Sequence, residues 1–401
     1  MPEFTVPTAA LLRALRARSL DLGIAPPAAF LGDWRGSGAV IVPSVDLAPT
    51  RPDRVFTCVD EVVVVGFRSF PDVIPGAAPP LPEAVRGEAL GYLVSAADGA
   101  WQRFGDAPDP RAVLRRYGPG TGSSTHTDED DDDKAPGVTW SAPDRAAHQR
   151  AVAACLEAIR DGEVYQACLS TRFDGRLHTG ALETFLVLAR QAPTARAAYL
   201  EGDWGAVLAF SPEEFLIRTG ENVRTSPIKG TIPVHRDPDD LLASAKDVAE
   251  NIMIVDLARN DLGRVAEVGS VTVSDLLAVR PAPGVHHLVS TVTARTAVGN
   301  DHLVEATFPP ASVTGTPKHR ARQLINGWEP RTRGLHCGTY GFATPDGLDL
   351  AVAIRTLEVT PDGRCELGVG GGITIDSEPD VEWDECLHKA AFTWGGGPPP
   401  W

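Results

Sequence analysis

The chain has 401 residues, 43% hydrophobic and 22% charged, with a formal net charge of −16. So much apolar material excludes a disordered chain, and the acidic balance argues against nonspecific binding to nucleic acid or to an acidic membrane, which needs a basic surface. The six cysteines, Cys58, Cys155, Cys168, Cys337, Cys365 and Cys386, show no C-x-x-C spacing and read as reduced thiols rather than a disulfide frame or zinc site. With no signal-peptide core and no apolar run of membrane-spanning length, the expectation is a soluble, cytoplasmic protein with neither nucleic-acid nor membrane partner.

Residues 1–117 read as short strands, clearest at "AVIVPSV" and "EVVVVGF", separated by Pro- and Gly-rich turns. They form an N-terminal β-rich region. Residues 118–137, small, polar and acidic, read as a flexible linker. Residues 143–161 have helical apolar spacing, closed by Asp161-Gly162. "EVYQACLSTRF" alternates like a strand, and "ALETFLVLARQ" is a second helix.

"RDPDDLLASAKDVAENIMIVDLARNDLGRVA" predicts one long helix, with Asp237 as cap and Pro238 in the first turn. Strands follow around "GSVTVSDLLAVR" and "HHLVSTVTART", then a helix over "TPKHRARQLIN" and an antiparallel set ending in "RCELGVGGGITI". "PDVEWDECLHKAAFTW" is a last helix, and residues 395–401 read as a disordered tail. Strands and helices do not alternate regularly. That disfavours a doubly wound parallel sheet and predicts an α+β layered sandwich of large antiparallel sheets with outer helices.

Several groups could carry chemistry. Glu382, Glu385 and Lys389 share one face of the last helix; the two carboxylates suit a hard cation such as Mg²⁺, or simply a solvated face. Glu250 sits beside an apolar run and could equally be ion-paired. "GVGGGIT" reads as a strand-end loop able to offer N–H groups to an anion, or as a tight turn. Lys229 in "TSPIKGT" and Glu213 in "SPEEF" could meet as nucleophile and proton donor, or as a salt bridge between strands.

Together and in this order, "FSPEEF", "TSPIKGT", "AENIMIVDLARNDLGRV", "HHLVSTV", "TGTPKHRA", "AIRTLEV" and "GGGITIDSEPDVEWDECLHKA" resemble the chorismate-utilising enzymes, densely over roughly residues 140–394, which implies a chorismate-binding catalytic region over 138–394. The resemblance implies a central cleft between the sheets. It also implies roles. Glu250, Glu382 and Glu385 would hold Mg²⁺. Arg355 and Tyr340 would hold the enolpyruvyl carboxylate of chorismate, and Lys389 with the backbone of Gly371 and Gly372 the ring carboxylate. Thr314 and Gly315 would line the cleft, His287 would lie near the ring, and Glu213 would protonate the departing C4 hydroxyl.

Two positions separate the branches. Gln166 stands where the water-adding members carry a lysine base; an amide cannot serve as one. Lys229 stands where anthranilate synthases usually have Ala and aminodeoxychorismate synthases Lys, which implies covalent attack on C2 and delivery of nitrogen to C4. Magnesium and the cationic surroundings would favour the neutral amine. No glutaminase elbow is present, so ammonia would come from glutamine through a separate glutaminase subunit. The alternatives are the large subunit of anthranilate synthase or a related amino-deoxyisochorismate synthase, a pyridoxal phosphate enzyme with Lys229 as Schiff base, and a silent interaction subunit. Lys229, the missing phosphate cup and the retained carboxylates oppose these in turn.

Overall fold

The computed structural model describes residues 6–58, 61–72, 74, 78–96, 99–118, 137–395 and 399–401. Almost all of the acidic linker lies outside this set.

Two antiparallel sheets face each other. Among the described residues the first has eleven strands. Its site-bearing end runs Gly315–Thr316, Gln166–Leu177, Arg364–Ile373, Thr356–Val359, and it continues through Gly205–Ser211 and Arg196–Gly202 to Ala28–Trp34 and Ser37–Val42. The second, of ten strands, begins Ile228–Pro233, Val285–Arg295 and ends with Thr339–Thr344, Val63–Arg68, Ala84–Ala89 and Ala48–Pro49. The N-terminal residues thus contribute strands to both sheets.

Strand alternation decides what each face buries. Ala28 and Phe30 point into the space between the sheets, where they meet Trp34, Phe67 and Phe342; Ala29 and Leu31 point outward to the helix Thr8–Leu22. Phe30 packs edge-on against Trp34 at 5.0 Å. Burying each such ring contributes about 1.5–3 kcal/mol. Outer cores cover the other faces. The helix Ala181–Gln191 packs on the first sheet, and the helices Ala245–Gly263 and Asn300–Thr307 pack on the second. The result is a layered α+β sandwich of large antiparallel sheets.

Four local expectations change. The long helix is broken at Ser244 into Asp239–Ala243 and Ala245–Gly263. Ser244 has extended ψ, and its hydroxyl accepts from Asp247 N at 3.2 Å, restarting the helix. The glycines of "GVGGG" are in a strand, not a terminal loop, with Gly370, Gly371 and Gly372 paired to Ser170, Leu169 and Cys168. The tail is not wholly disordered. Trp401 sets its ring 5.7 Å from Phe173 and 5.5 Å from Trp394. The helices Thr8–Leu22 and Pro110–Tyr117 stand where only strands and turns were expected. No helix among the described residues is long and apolar enough to cross a membrane.

Candidate active site

The site forms where the glycine-rich strand Arg364–Ile373 meets the second sheet. A Cβ on Gly372 would stand 3.0 Å from Lys229 Nζ, 3.1 Å from Glu250 Oε2 and 3.3 Å from Gln166 Oε1. A Cβ on Gly371 would stand 3.1 Å from Glu382 Oε2 and 3.3 Å from Glu385 Oε1. Glycine leaves room here for side chains from four elements that close on this backbone.

Gln166 opens its strand, with Gly315–Thr316 paired on one side as Gly315↔Ala167 and Thr316↔Gln166. Cys168 N donates to Thr314 O at 2.7 Å, which fixes the Thr314–Gly315 turn beside Gln166. Lys229 lies on the strand Ile228–Pro233, and its ammonium is 3.9 Å from Glu250. Glu250 is carried by the helix Ala245–Gly263, held to the second sheet by buried Asn251, which donates to Leu288 O at 3.1 Å and accepts from Ser290 Oγ at 2.6 Å.

The C-terminal helix Pro379–Ala390 brings the remaining charges. Ser377 Oγ donates to Glu382 Oε1 at 2.6 Å. Lys389 Nζ bonds Glu385 at 2.5 Å and Gly370 O at 2.6 Å. Burial works against ionising Glu385, but Lys389, then Lys246 and Lys229, outweigh it and hold the carboxyl below its ordinary range. Burial dominates at Glu250 and raises its pKa, against the pull of Lys229 and Lys246.

Glu213 is fully enclosed and faces the backbone of the lysine strand, with Ile228 N at 3.5 Å. Burial pushes it up to about 7, despite Lys229 nearby. It can therefore carry a proton near neutral pH. His287 pairs with Thr231 across the strands, and its Nδ1 lies 2.8 Å from Thr231 Oγ1. Burial, with Arg355 adding to it, brings the imidazole down to about 4, so it is neutral at pH 7.

Arg355 has a left-handed backbone, φ 49. Such a conformation costs energy and concentrates at sites that bind or react. Burial lowers its pKa. Its residue lines a cavity of about 340 Å³ with Phe210, Phe392, Pro283 and Gly284.

Tyr340 is a correction. Its hydroxyl donates to Arg196 O at 2.5 Å, and its ring packs 6.0 Å from Trp34 in the core between the sheets. It does not reach the cleft. Tyr340 and Phe342 stand two apart on one strand, so they share the core face.

Two residues passed unread in the sequence. Lys246 Nζ lies 4.0 Å from Glu250 Oε1 and 3.5 Å from Glu382 Oε1, bridging the two carboxylate-bearing helices; its i, i+4 spacing to Glu250 was the available signal. His336 is buried against Gly368, with Nε2 3.1 Å from Ser170 Oγ and no partner at Nδ1. Nothing in "RGLHCG" marks it.

Glu250, Glu382 and Glu385 form a donor set of hard oxygens, the chemistry a small divalent cation prefers. As the side chains stand, lysines pair with them, and among the described residues no three metal-ligating side chains are gathered on one point. Yet Glu382 Oε2 and Gln166 Oε1 are buried with no hydrogen-bond partner. An orphan of this kind costs about 1–3 kcal/mol, and both face the glycine strand. The residues fit a cation and a polar ligand.

A cleft of convergent cations and carboxylates between two large antiparallel sheets defines the class, and the chain belongs to the family of chorismate binding enzymes, whose model matches residues 98–394. It is 41% identical over 243 residues to aminodeoxychorismate synthase component 1 of Escherichia coli, covering 58% of this chain and 53% of that protein. It is 40% identical over 250 residues to anthranilate synthase component 1 of Streptomyces coelicolor, covering 60% and 49%. The chain spans about half the length of these curated relatives. The crystal structure of anthranilate synthase component I from Streptococcus pneumoniae has the same fold, with TM-score 0.73 and 24% identity over 92% of this chain and 91% of that one.

Proposed function

We propose that the chain converts chorismate and ammonia to 4-amino-4-deoxychorismate, the precursor of 4-aminobenzoate and folate, by covalent catalysis at Lys229. The observation that carries this reading is the Lys229 amine at the crowded face of Gly372, with a carboxyl that titrates near 7, Glu213, behind the same strand.

Arg355 takes the enolpyruvyl carboxylate. Lys389 and the Gly371–Gly372 backbone take the ring carboxylate, and Gln166, His287, Thr314 and Gly315 shape the remaining wall. Glu250, Glu382 and Glu385 would hold Mg²⁺, which when bound supplies positive charge against the substrate's carboxylate. Lys229 Nζ gives up its proton to solvent and attacks C2 as the C4–O bond breaks, and Glu213 gives its proton to the leaving hydroxyl, forming water. Ammonia then forms the C4–N bond, and the C2–Nζ bond breaks to release Lys229. Two displacements replace one difficult substitution. Ammonia would come from a separate glutaminase subunit, a reading supported by the "component 1" in the relatives' names.

The test is incubation with chorismate, Mg²⁺ and an ammonium salt, with products identified by mass spectrometry beside Lys229→Ala. Aminodeoxychorismate from the wild type and not from the variant supports the reading. Anthranilate from the wild type would instead support the second reading, favoured by the 40% identity to an anthranilate synthase component, and would make Lys229 a bystander.

A further inference from the structure

Lys246 is a cleft cation that the roles above leave unused. It is the second residue of the helix Ala245–Gly263, one turn before Glu250. The first turn of a helix favours acidic side chains and opposes a cation, so the helix itself gives no reason for a lysine there. The reason lies in its contacts. Its Nζ is 4.0 Å from Glu250 Oε1 and 3.5 Å from Glu382 Oε1, so one ammonium spans the helices Ala245–Gly263 and Pro379–Ala390.

Three lysines thus face three carboxylates, and they are not held alike. Lys229 is 3.9 Å from Glu250 Oε2, and its side chain is 13% exposed. Lys389 is tied twice, to Glu385 Oε1 at 2.5 Å and to Gly370 O at 2.6 Å. The Lys246 side chain is 41% exposed, both its ion pairs are long, and its four-carbon stem is flexible. Glu382 is fixed from the other side by Ser377 Oγ, which donates to the same Oε1 at 2.6 Å, while Oε2 is buried without a partner. Lys246 therefore balances the charge of Glu382 and leaves its second oxygen unsatisfied.

We propose that Lys246 is the resident counter-ion of the Glu250–Glu382 pair and swings out to solvent when these carboxylates take up a divalent cation. The inference rests on the cation reading given above. An ammonium in contact with both carboxylates stands within a few ångströms of any cation they hold together, and like charges at that separation repel. Of the three lysines, Lys246 has the weakest hold and the shortest way to water, so it is the one that leaves. In place, it keeps two enclosed carboxylates from repelling each other across the empty cleft. It also competes with the incoming cation, so the chain binds that cation less tightly than its three carboxylates alone would allow.

The experiment uses the full chain without substrate and reads no turnover. Uptake of Mn²⁺ is counted by electron paramagnetic resonance of the free ion, and lysine acetylation is mapped by peptide mass spectrometry with and without saturating Mn²⁺. In the wild type, Lys246 should be acetylated several-fold faster once the ion is bound, while Lys318, enclosed and bonded to Asp261 at 2.6 Å, keeps its rate. Lys246→Met should bind Mn²⁺ about 10-fold more tightly than the wild type, because the competing charge is gone, and its melting temperature should rise more on adding the ion. Glu250→Gln should lose the uptake. Mn²⁺ uptake with an unchanged or slower Lys246 acetylation, or a Lys246→Met protein that binds no more tightly, would overturn the proposal and leave the cation site standing. No uptake by either protein, or full uptake by Glu250→Gln, would overturn the cation reading and the proposal with it.

Discussion

Between the two sheets, the region around Trp34 and the region around Lys229 use similar residues to opposite effect. Around Trp34, a buried arginine is fully engaged. Arg196 pairs with Asp349 and Glu214, stacks over the Trp34 ring at 4.8 Å, and gives its carbonyl to Tyr340. Around Lys229, Gln166, Glu250 and Glu382 are buried while Lys246, Glu385 and Lys389 are partly exposed; Gln166 Oε1 and Glu382 Oε2 lack partners and Arg355 sits in a strained backbone. Buried polar groups normally satisfy one another. Around Trp34 they do, and the region stabilises the fold; around Lys229 two are left over.

Substitutions can break this contrast. Lys229→Ala has the largest expected effect, complete loss of the C4-amino product in the mass-spectrometric assay, with an unchanged melting temperature. Glu213→Gln should lower kcat by about 10²–10⁴-fold. The wild-type rate should fall as pH rises through about 7, because the proton donor is lost there. The same shift has a stability sign. With its folded pKa above the ordinary carboxyl value, Glu213 contributes stability in acid that disappears as pH rises through about 7. Glu213→Gln should therefore gain in melting temperature relative to wild type at pH 8 and not at pH 4.

Gly372→Ala comes next. The new methyl would meet the flexible ends of Lys229, Glu250 and Gln166, so the protein should fold while kcat/KM drops by about 10²-fold from their displacement. Tyr340→Phe, on the finished side, has the smallest effect. It should cost about 1 kcal/mol in chemical denaturation and leave turnover intact; a raised KM for chorismate would return Tyr340 to the site.

Much of the helical framework was legible. Arg145–Arg160 and Ala181–Gln191 follow apolar periodicity, and Asp144 caps the first by accepting from Ala147 N at 2.9 Å. The glycine strand was harder to read, because glycine in a strand usually signals a turn or weak pairing. Here it records what presses on the backbone, which for Gly372 lies more than a hundred residues away in sequence, at Lys229, Glu250 and Gln166. The aromatics of "GTYGFAT" did signal a core face through their spacing of two, and the motif resemblance overrode that signal at Tyr340. Ser244 could not announce the helix break, since a serine with Asp three residues on serves mid-helix as well as at a cap. Lys246 was legible as a helical neighbour of Glu250, but its second contact, to Glu382, depends on a helix near the other end of the chain.

The ladder between Gln166–Leu177 and Arg364–Ile373, with the C-terminal helix just beyond it, has a consequence for biosynthesis. The strand that pairs with Ala167–Arg176 and the carboxylates of Glu382 and Glu385 all follow Lys229 by more than a hundred residues. Such distant pairings close late and slowly. A nascent chain that has emerged only a little past Lys229 therefore carries it without those groups, and they gather around it only after the distant strand and helix have been made.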